Sequence, residues 1–146
     1  MDNNVVISFE GTQKFLGEEA QTINMVTDGR LLSDQGRLLL SYDESDLTGI
    51  EGTETIFSIE GEHVEMTRRG ALKSRMVFEK GMRDISLYDM GFGAMTIEVN
   101  TRRLKNELTP AGGKLEISYG IEIEKRIRGL NTFRIDVRPR GEAIPQ

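Results

Sequence analysis

The residue of this sequence best placed for binding chemistry is Arg68, which follows an apolar run in the same register. Val64 and Met66 precede it at a spacing of two, so all three side chains share one face if the segment is a β-strand. An arginine is almost never fully buried without a partner, and its five donors suit a bidentate carboxylate or phosphate. The sequence therefore predicts either a structural ion pair or an anion-binding group at Arg68.

Three other polar side chains are expected to lie near Arg68, at the ends of neighbouring strands. Tyr42 and Glu44 continue the register of an apolar run that begins at Leu38, and Thr55 begins the register of another. We predict Tyr42, Glu44, Thr55 and Arg68 as ligand-binding candidates. If Glu44 gives both of its oxygens to Arg68, the group is structural instead.

Catalytic chemistry finds little support in the residue types. His63 is the single histidine and there is no cysteine, which excludes two-histidine metal sites, zinc fingers, disulfides and thiol nucleophiles. His63 lies beside a predicted hairpin turn and is expected to be a solvated imidazole. The segment from Gly91 to Ala94 opens like a dinucleotide-binding loop, but Thr96 stands where that loop needs glycine and no helix follows. We predict no enzyme activity, no catalytic residue, no metal and no cofactor.

The elements that position these residues are short strands, because apolar residues recur with a period of two almost throughout. About ten such runs alternate with glycine turn signals, including Asp28-Gly29, and one face of each run is polar. Strands of this kind must hide their edges. The prediction is an all-β fold with a single antiparallel up-and-down β-barrel of about 8–10 strands, and a two-sheet sandwich is the alternative. The predicted core contains Val5, Phe9, Leu40, Phe57, Met66, Phe78, Ile97, Leu115, Ile117, Ile121 and Ile135.

One domain accounts for the whole chain, since no linker or repeat interrupts the pattern. Residues 1–139 are predicted to form the barrel domain and residues 140–146 a loose C-terminal tail.

The stretch from His63 to Thr101 carries an ordered set of motifs: Arg68-x-Gly70, then Met76-x-Phe78-x-x-Gly81, then Tyr88-x-x-x-Phe92-Gly93. With these motifs the chain resembles the YwiB-like family of small uncharacterised bacterial proteins. The resemblance implies a lipocalin-like or calycin-like barrel and no settled activity. Met90 and Gly91 stand where the family often has Thr-Pro, so we expect a bend in which Gly91 or Gly93 has a positive φ. Phe92 between them is the fifth ligand-binding candidate, at the barrel mouth.

The charge distribution supplies the alternative function. Residues 1–65 carry a net charge of −11 and residues 66–146 carry +6. Either the two halves lie side by side and their charges pair, or the second half forms a basic face that binds an anionic partner.

Our first functional prediction is a non-enzymatic binding module that holds a small amphipathic or anionic ligand in the barrel. The alternative is an interaction or assembly protein that docks on a protein or RNA partner through the basic face. The basic face would rest on two basic clusters, one of Arg102, Arg103 and Lys105 and one of Lys125, Arg126 and Arg128. Nucleic acid is disfavoured because the nearby aromatic residues, Tyr119 and Phe133, fall on apolar faces. No apolar run is long enough for a membrane span, and we expect a cytoplasmic protein. The sequence predicts no particular oligomeric state.

Overall fold

The computed structural model describes residues 3–45, 50–89 and 93–141, and these residues form ten antiparallel strands without a helix. In chain order the strands are β1 (Val5–Phe15), β2 (Gln21–Asp34), β3 (Arg37–Asp43), β4 (Thr53–Glu60), β5 (His63–Gly70), β6 (Lys73–Glu79), β7 (Arg83–Asp89), β8 (Ala94–Asn106), β9 (Gly113–Ile123) and β10 (Ile127–Pro139). None of the described residues belongs to a helix that could cross a membrane.

The strands close into one barrel. Each strand pairs with its sequence neighbour, and β1 pairs with β10 from Val5↔Pro139 to Phe15↔Gly129. The predicted up-and-down barrel is confirmed and the sandwich is not observed. A closed order of this kind leaves neither the first nor the last strand as a free edge.

Alternation explains which side chains fill the barrel. In β9, Leu115, Ile117, Tyr119 and Ile121 are buried, while the residues that alternate with them lie on the outer face. All the predicted core residues are buried except Phe9, which is partly buried. The Phe9 ring stacks on that of Phe133 with centroids 5.8 Å apart, so it still contributes to the core.

The backbone pairing is incomplete in two parts of the barrel, along β2 and between β6 and β7. Residues 21–29 of β2 pair with β1 and residues 30–34 pair with β3. Between β6 and β7 only two residue pairs form. Beyond them, the Val77 N–H donates to Oδ2 of Asp84 at 3.3 Å, and the Glu79 N–H donates to Oγ1 of Thr101 at 3.2 Å. Side chains thus take the place of the missing ladder bonds.

The predicted turn at Asp28-Gly29 is wrong, because both residues lie inside β2. Gly29 lies where β2 passes from one partner strand to the other. A Cβ atom there would lie 2.7 Å from the carbonyl oxygen of Ser41 and would also meet the Ile7 side chain. Close approach of a neighbouring strand, not a turn, therefore explains this glycine.

One end of the barrel is covered by the loop between β8 and β9. Leu108 of this loop is buried in the core, and Asn106 before it donates from Nδ2 to the carbonyl oxygen of Gly61 at 2.8 Å. This contact ties the loop to the β4–β5 turn across the barrel end. The opposite end, where β3 and β5 finish and β4 and β6 begin, holds the cavity described below. At the chain's C-terminal side β10 ends at Pro139, and residues 142–146 of the predicted tail lie outside the described residues.

Candidate functional site

A row of polar side chains crosses four adjacent strands at one level inside the barrel. Tyr42 of β3 pairs with Thr55 of β4, Thr55 with Arg68 of β5, and Arg68 with Ser74 of β6. Directly paired residues of neighbouring strands point to the same face of a sheet. The pairing therefore places the four side chains side by side on the inner face.

Glu44, just beyond the end of β3, joins this row through Thr55. The Thr55 hydroxyl donates to Oε2 of Glu44 at 2.7 Å, and Nε of Arg68 donates to the Thr55 hydroxyl at 3.4 Å. Nε of Arg68 lies 3.8 Å from the same Glu44 oxygen. Glu44 thus does not clamp the guanidinium with both oxygens, as a structural pair would. Within the described residues, the Nη1 and Nη2 atoms of Arg68 make no hydrogen bond.

The carboxylate of Glu44 is the most deeply buried charged group of the site. Its side chain is 1% exposed, and its Oε1 atom has no hydrogen-bond partner among the described residues. Its backbone N–H is satisfied by the carbonyl oxygen of Thr53 at 2.8 Å. An unmet buried acceptor costs about 1–3 kcal/mol. Oε1 of Glu44 is therefore an acceptor for which a ligand donor would be a net gain.

Tyr42 is held neutral by its surroundings. Burial first, and then the charge of Glu44, raise the pKa of Tyr42 above its ordinary value, while the charge of Arg68 acts in the opposite direction. Hydrogen bonding to Thr55 and Glu44 also acts on this hydroxyl. At neutral pH the hydroxyl is thus a hydrogen-bonding group and not a base.

A cavity of about 430 Å³ opens beside these residues inside the barrel. Tyr42, Glu44 and Arg68 line one side of it. The rest of the wall is mainly aromatic and aliphatic, and it includes Phe57, Met66, Met76, Met95, Ile97, Tyr119, Ile121 and Phe133. The Phe133 ring packs against those of Phe57 and Phe78, with centroids 5.9 and 5.8 Å apart, so this part of the wall continues into the core.

Asn131 supplies a second unmet acceptor in the cavity wall. Its Nδ2 atom donates to the Tyr119 hydroxyl at 3.0 Å, and its buried Oδ1 atom has no partner within the described part of the chain. Asn131 stands two residues before Phe133 in β10, so the period of two sends both side chains inward. The cavity therefore presents acceptors from both sides and the guanidinium donors of Arg68.

Four of the five predicted candidates come together in this site, and the fifth, Phe92, lies outside the described residues. The expected bend has no support at Gly93, whose φ is not positive, and Gly91 lies outside the described residues. Sequence reasoning missed Ser74 and Asn131. Each stands two residues before an apolar residue of its strand, Ser74 before Met76 and Asn131 before Phe133, and this spacing could have placed both side chains inside the barrel.

Other parts of the surface are less suited to a ligand. A depression of about 630 Å³ lies on the outer face of the barrel, where charged side chains such as Glu10, Lys114 and Arg134 line it. His63 is partly exposed, with its ring nitrogens each 3.7 Å from a carboxylate, of Glu65 and of Glu79. The described residues contain no group of three or more side chains suited to a metal ion.

The basic clusters proposed as a docking face are partly neutralised. Arg103 pairs with Glu116 at 3.6 Å and Arg128 with Glu122 at 3.4 Å, and Lys105 lies 4.0 Å from a carboxylate oxygen. Exposed pairs of this kind contribute little to stability. They do, however, reduce the positive potential that an anionic partner would meet.

Comparison with known proteins gives one family and one solved structure. The family described as "Domain of unknown function (DUF1934)" matches residues 7–135. The crystal structure of the ywiB protein from Bacillus subtilis superposes with a TM-score of 0.74 at 21% sequence identity, over 92% of this chain and 91% of that chain. No curated protein matches the chain. At this identity the structural likeness shows the barrel fold alone.

Proposed function

This chain belongs to the family described as a domain of unknown function, DUF1934, and from that premise we propose a function on the interior site itself. The protein is a binding module that holds a small amphipathic molecule in the barrel cavity. The apolar part of the ligand contacts Phe57 and Met66, and its polar end meets Arg68 and Glu44.

The observation that carries this proposal is the cavity of about 430 Å³, whose wall is mostly apolar and carries a few polar groups with unused hydrogen-bonding capacity. Small-molecule sites are typically concave spaces of roughly 300–1,000 Å³, mostly apolar, with a few convergent polar groups that orient the ligand. Here the convergent groups are Arg68, Glu44 and Asn131, and each has hydrogen-bonding capacity that the described residues leave unused. A protein that only filled its own barrel would gain stability by pairing these groups or replacing them with apolar ones.

Binding without chemical conversion fits the state of the site. The raised pKa of Tyr42 keeps its hydroxyl protonated, so it cannot act as a general base near neutral pH. We also propose a location in the bacterial cytoplasm, and the absence of cysteine is compatible with that reducing compartment.

Fluorescence titration with N-phenyl-1-naphthylamine, a neutral apolar probe, tests the proposal. We expect saturable binding at one site and an increase in the melting temperature of the protein with probe concentration. Met66→Trp fills the cavity with a larger side chain and should weaken probe binding at least about tenfold. Circular dichroism of the variant confirms that its barrel has folded.

Met82→Trp is the matched control, because Met82 is 43% exposed and does not line the cavity. It should bind the probe like the parent protein. If the parent shows no saturable binding, or if both variants bind equally well, the cavity is not a ligand site.

A further inference from the structure

The polar end of the site has a charge balance that restricts what can bind. Glu44 and Arg68 carry opposite charges, with Oε2 and Nε 3.8 Å apart, so the pair is neutral before any ligand arrives. A simple anion placed beside Arg68 would bring a second negative charge close to the buried Glu44 carboxylate. Like charges in a poorly solvated site repel strongly. The site therefore favours a head group that is neutral overall.

Unused hydrogen-bonding groups define the head group further. Oε1 of Glu44 and Oδ1 of Asn131 are buried acceptors without a partner among the described residues. Nη1 and Nη2 of Arg68 are donors without one in the same part of the chain. A matching head group must donate to Oε1 of Glu44 and accept from Nη1 and Nη2 of Arg68, because these atoms lie together at one level of the barrel. An ammonium group donates three hydrogen bonds, and a carboxylate accepts a bidentate pair from a guanidinium.

We propose that the ligand is a zwitterion with an ammonium and a carboxylate on neighbouring atoms, as in an apolar α-amino acid. This inference rests on the proposed function and adds the class of molecule. The carboxylate binds Nη1 and Nη2 of Arg68, and the ammonium binds Oε1 of Glu44. Because Glu44 and Arg68 are adjacent through Thr55, the two charges of the ligand must also be close together.

The apolar side chain of the ligand then lies against the flexible part of the cavity wall. Met66, Met76 and Met95 line the cavity, and Met66 and Met76 pair directly with each other on neighbouring strands. Methionine side chains are unbranched and polarisable, so they adapt to apolar groups of different shape. The site thus fixes the head group firmly and the side chain loosely, and we expect several apolar amino acids to bind.

Displacement of bound N-phenyl-1-naphthylamine by three molecules with the same phenyl tail tests the inference. L-Phenylalanine carries both charges, 3-phenylpropionate only the carboxylate, and phenethylamine only the ammonium. We expect L-phenylalanine to displace the probe at a concentration about tenfold lower than either analogue. In Glu44→Gln, L-phenylalanine and 3-phenylpropionate should displace the probe at similar concentrations. In Arg68→Met, L-phenylalanine and phenethylamine should do so.

Glu65→Gln and Arg75→Met are the matched controls, because these residues pair with each other on the outer face, with Nη2 and Oε1 2.6 Å apart. Both should keep the ranking of the parent protein. If either analogue displaces the probe as well as L-phenylalanine does, or if none of the three displaces it, the inference is wrong. The cavity itself would still be supported by the loss of probe binding in Met66→Trp. Should Glu44→Gln or Arg68→Met fail to fold, the ranking in the parent protein decides.

Discussion

The Tyr42 hydroxyl links the site to a measurable pH dependence of stability. Its pKa is raised in the folded protein, first by burial and then by Glu44. An unfolded chain releases the same proton near pH 10. Above that pH the unfolded state holds fewer protons than the folded state, so stability falls as the pH rises.

We expect this loss to be specific to Tyr42. The free energy of unfolding in urea, compared between the parent protein and Tyr42→Phe from pH 8.5 to 11.5, should show a constant difference below about pH 9.5. Above it the parent should lose stability relative to the variant. A difference that stays constant to pH 11.5 would mean that the folded protein leaves this hydroxyl with an ordinary pKa.

Individual site residues were predictable from their register alone. Tyr42 and Arg68 follow an apolar run and Thr55 precedes one, each at a spacing of two, and this spacing fixes the face on which each lies. Their alignment in one row also depends on which residues pair across strands, which the sequence does not state. Ser74 escaped prediction for a related reason, since a small polar residue in an apolar register is common and has no distinctive chemistry of its own.

At the scale of a strand, the alternation predicts opposite outcomes for the same substitution at two isoleucines. Ile117 of β9 is fully buried, whereas Ile85 of β7 is 69% exposed. Ile117→Asp places an unpaired charge in the core and should lower the free energy of unfolding by more than about 4 kcal/mol. That loss is most of the stability of a typical domain.

Ile85→Asp should change the free energy of unfolding by about 1 kcal/mol or less, through β-propensity alone. Urea denaturation followed by circular dichroism measures both variants. Similar losses at the two positions would show that the inner and outer faces of these strands have been assigned wrongly.

Strand boundaries were harder to predict than the strands themselves. Asp28-Gly29 has the local composition of a hairpin turn, yet it lies in the middle of the 14-residue strand β2. The reason is a carbonyl oxygen at Ser41, twelve residues further along the chain, which leaves no room for a side chain at Gly29. A glycine in a hairpin turn and a glycine inside a strand look alike in the local sequence, so only the tertiary contact distinguishes them.

On the scale of the whole molecule, the uneven charge distribution along the chain is partly balanced by the fold. Arg134 lies 3.6 Å from Glu10, Arg140 lies 2.7 Å from Asp28, and Arg69 lies 3.0 Å from Glu54. Each of these pairs joins the basic second half of the sequence to the acidic first half. Strand pairing thus brings opposite charges together, across the closure of β1 on β10 for Arg134 and Glu10 and across β4 and β5 for Arg69 and Glu54, as one of the two interpretations of the sequence expected.

The same closure predicts that the barrel tolerates a change in chain order. The N–H of Arg140 donates to the carbonyl oxygen of Asn4 at 2.8 Å, so the start of β1 and the end of β10 are adjacent. A circular permutant that joins them through a glycine-serine linker, with new termini after Gly61 in the exposed β4–β5 turn, should fold and bind N-phenyl-1-naphthylamine like the parent. A permutant opened after Ile117, inside β9, should neither fold nor bind the probe. If both permutants folded equally well, strand continuity would be unimportant for this barrel.

The pairing of the first strand with the last has a consequence for biosynthesis. On the ribosome each strand from β2 to β9 can pair with the one made before it, but one edge of β1 stays open until β10 emerges. Open edges attract other strands, and pairing across the whole chain length is slow. Asn131 and Phe133 of the cavity wall belong to this final strand, so a nascent chain has no complete binding site. On the proposed function, ligand binding would therefore stabilise only copies in which β10 has joined the barrel, and it would withdraw them from the pool of chains that can still aggregate.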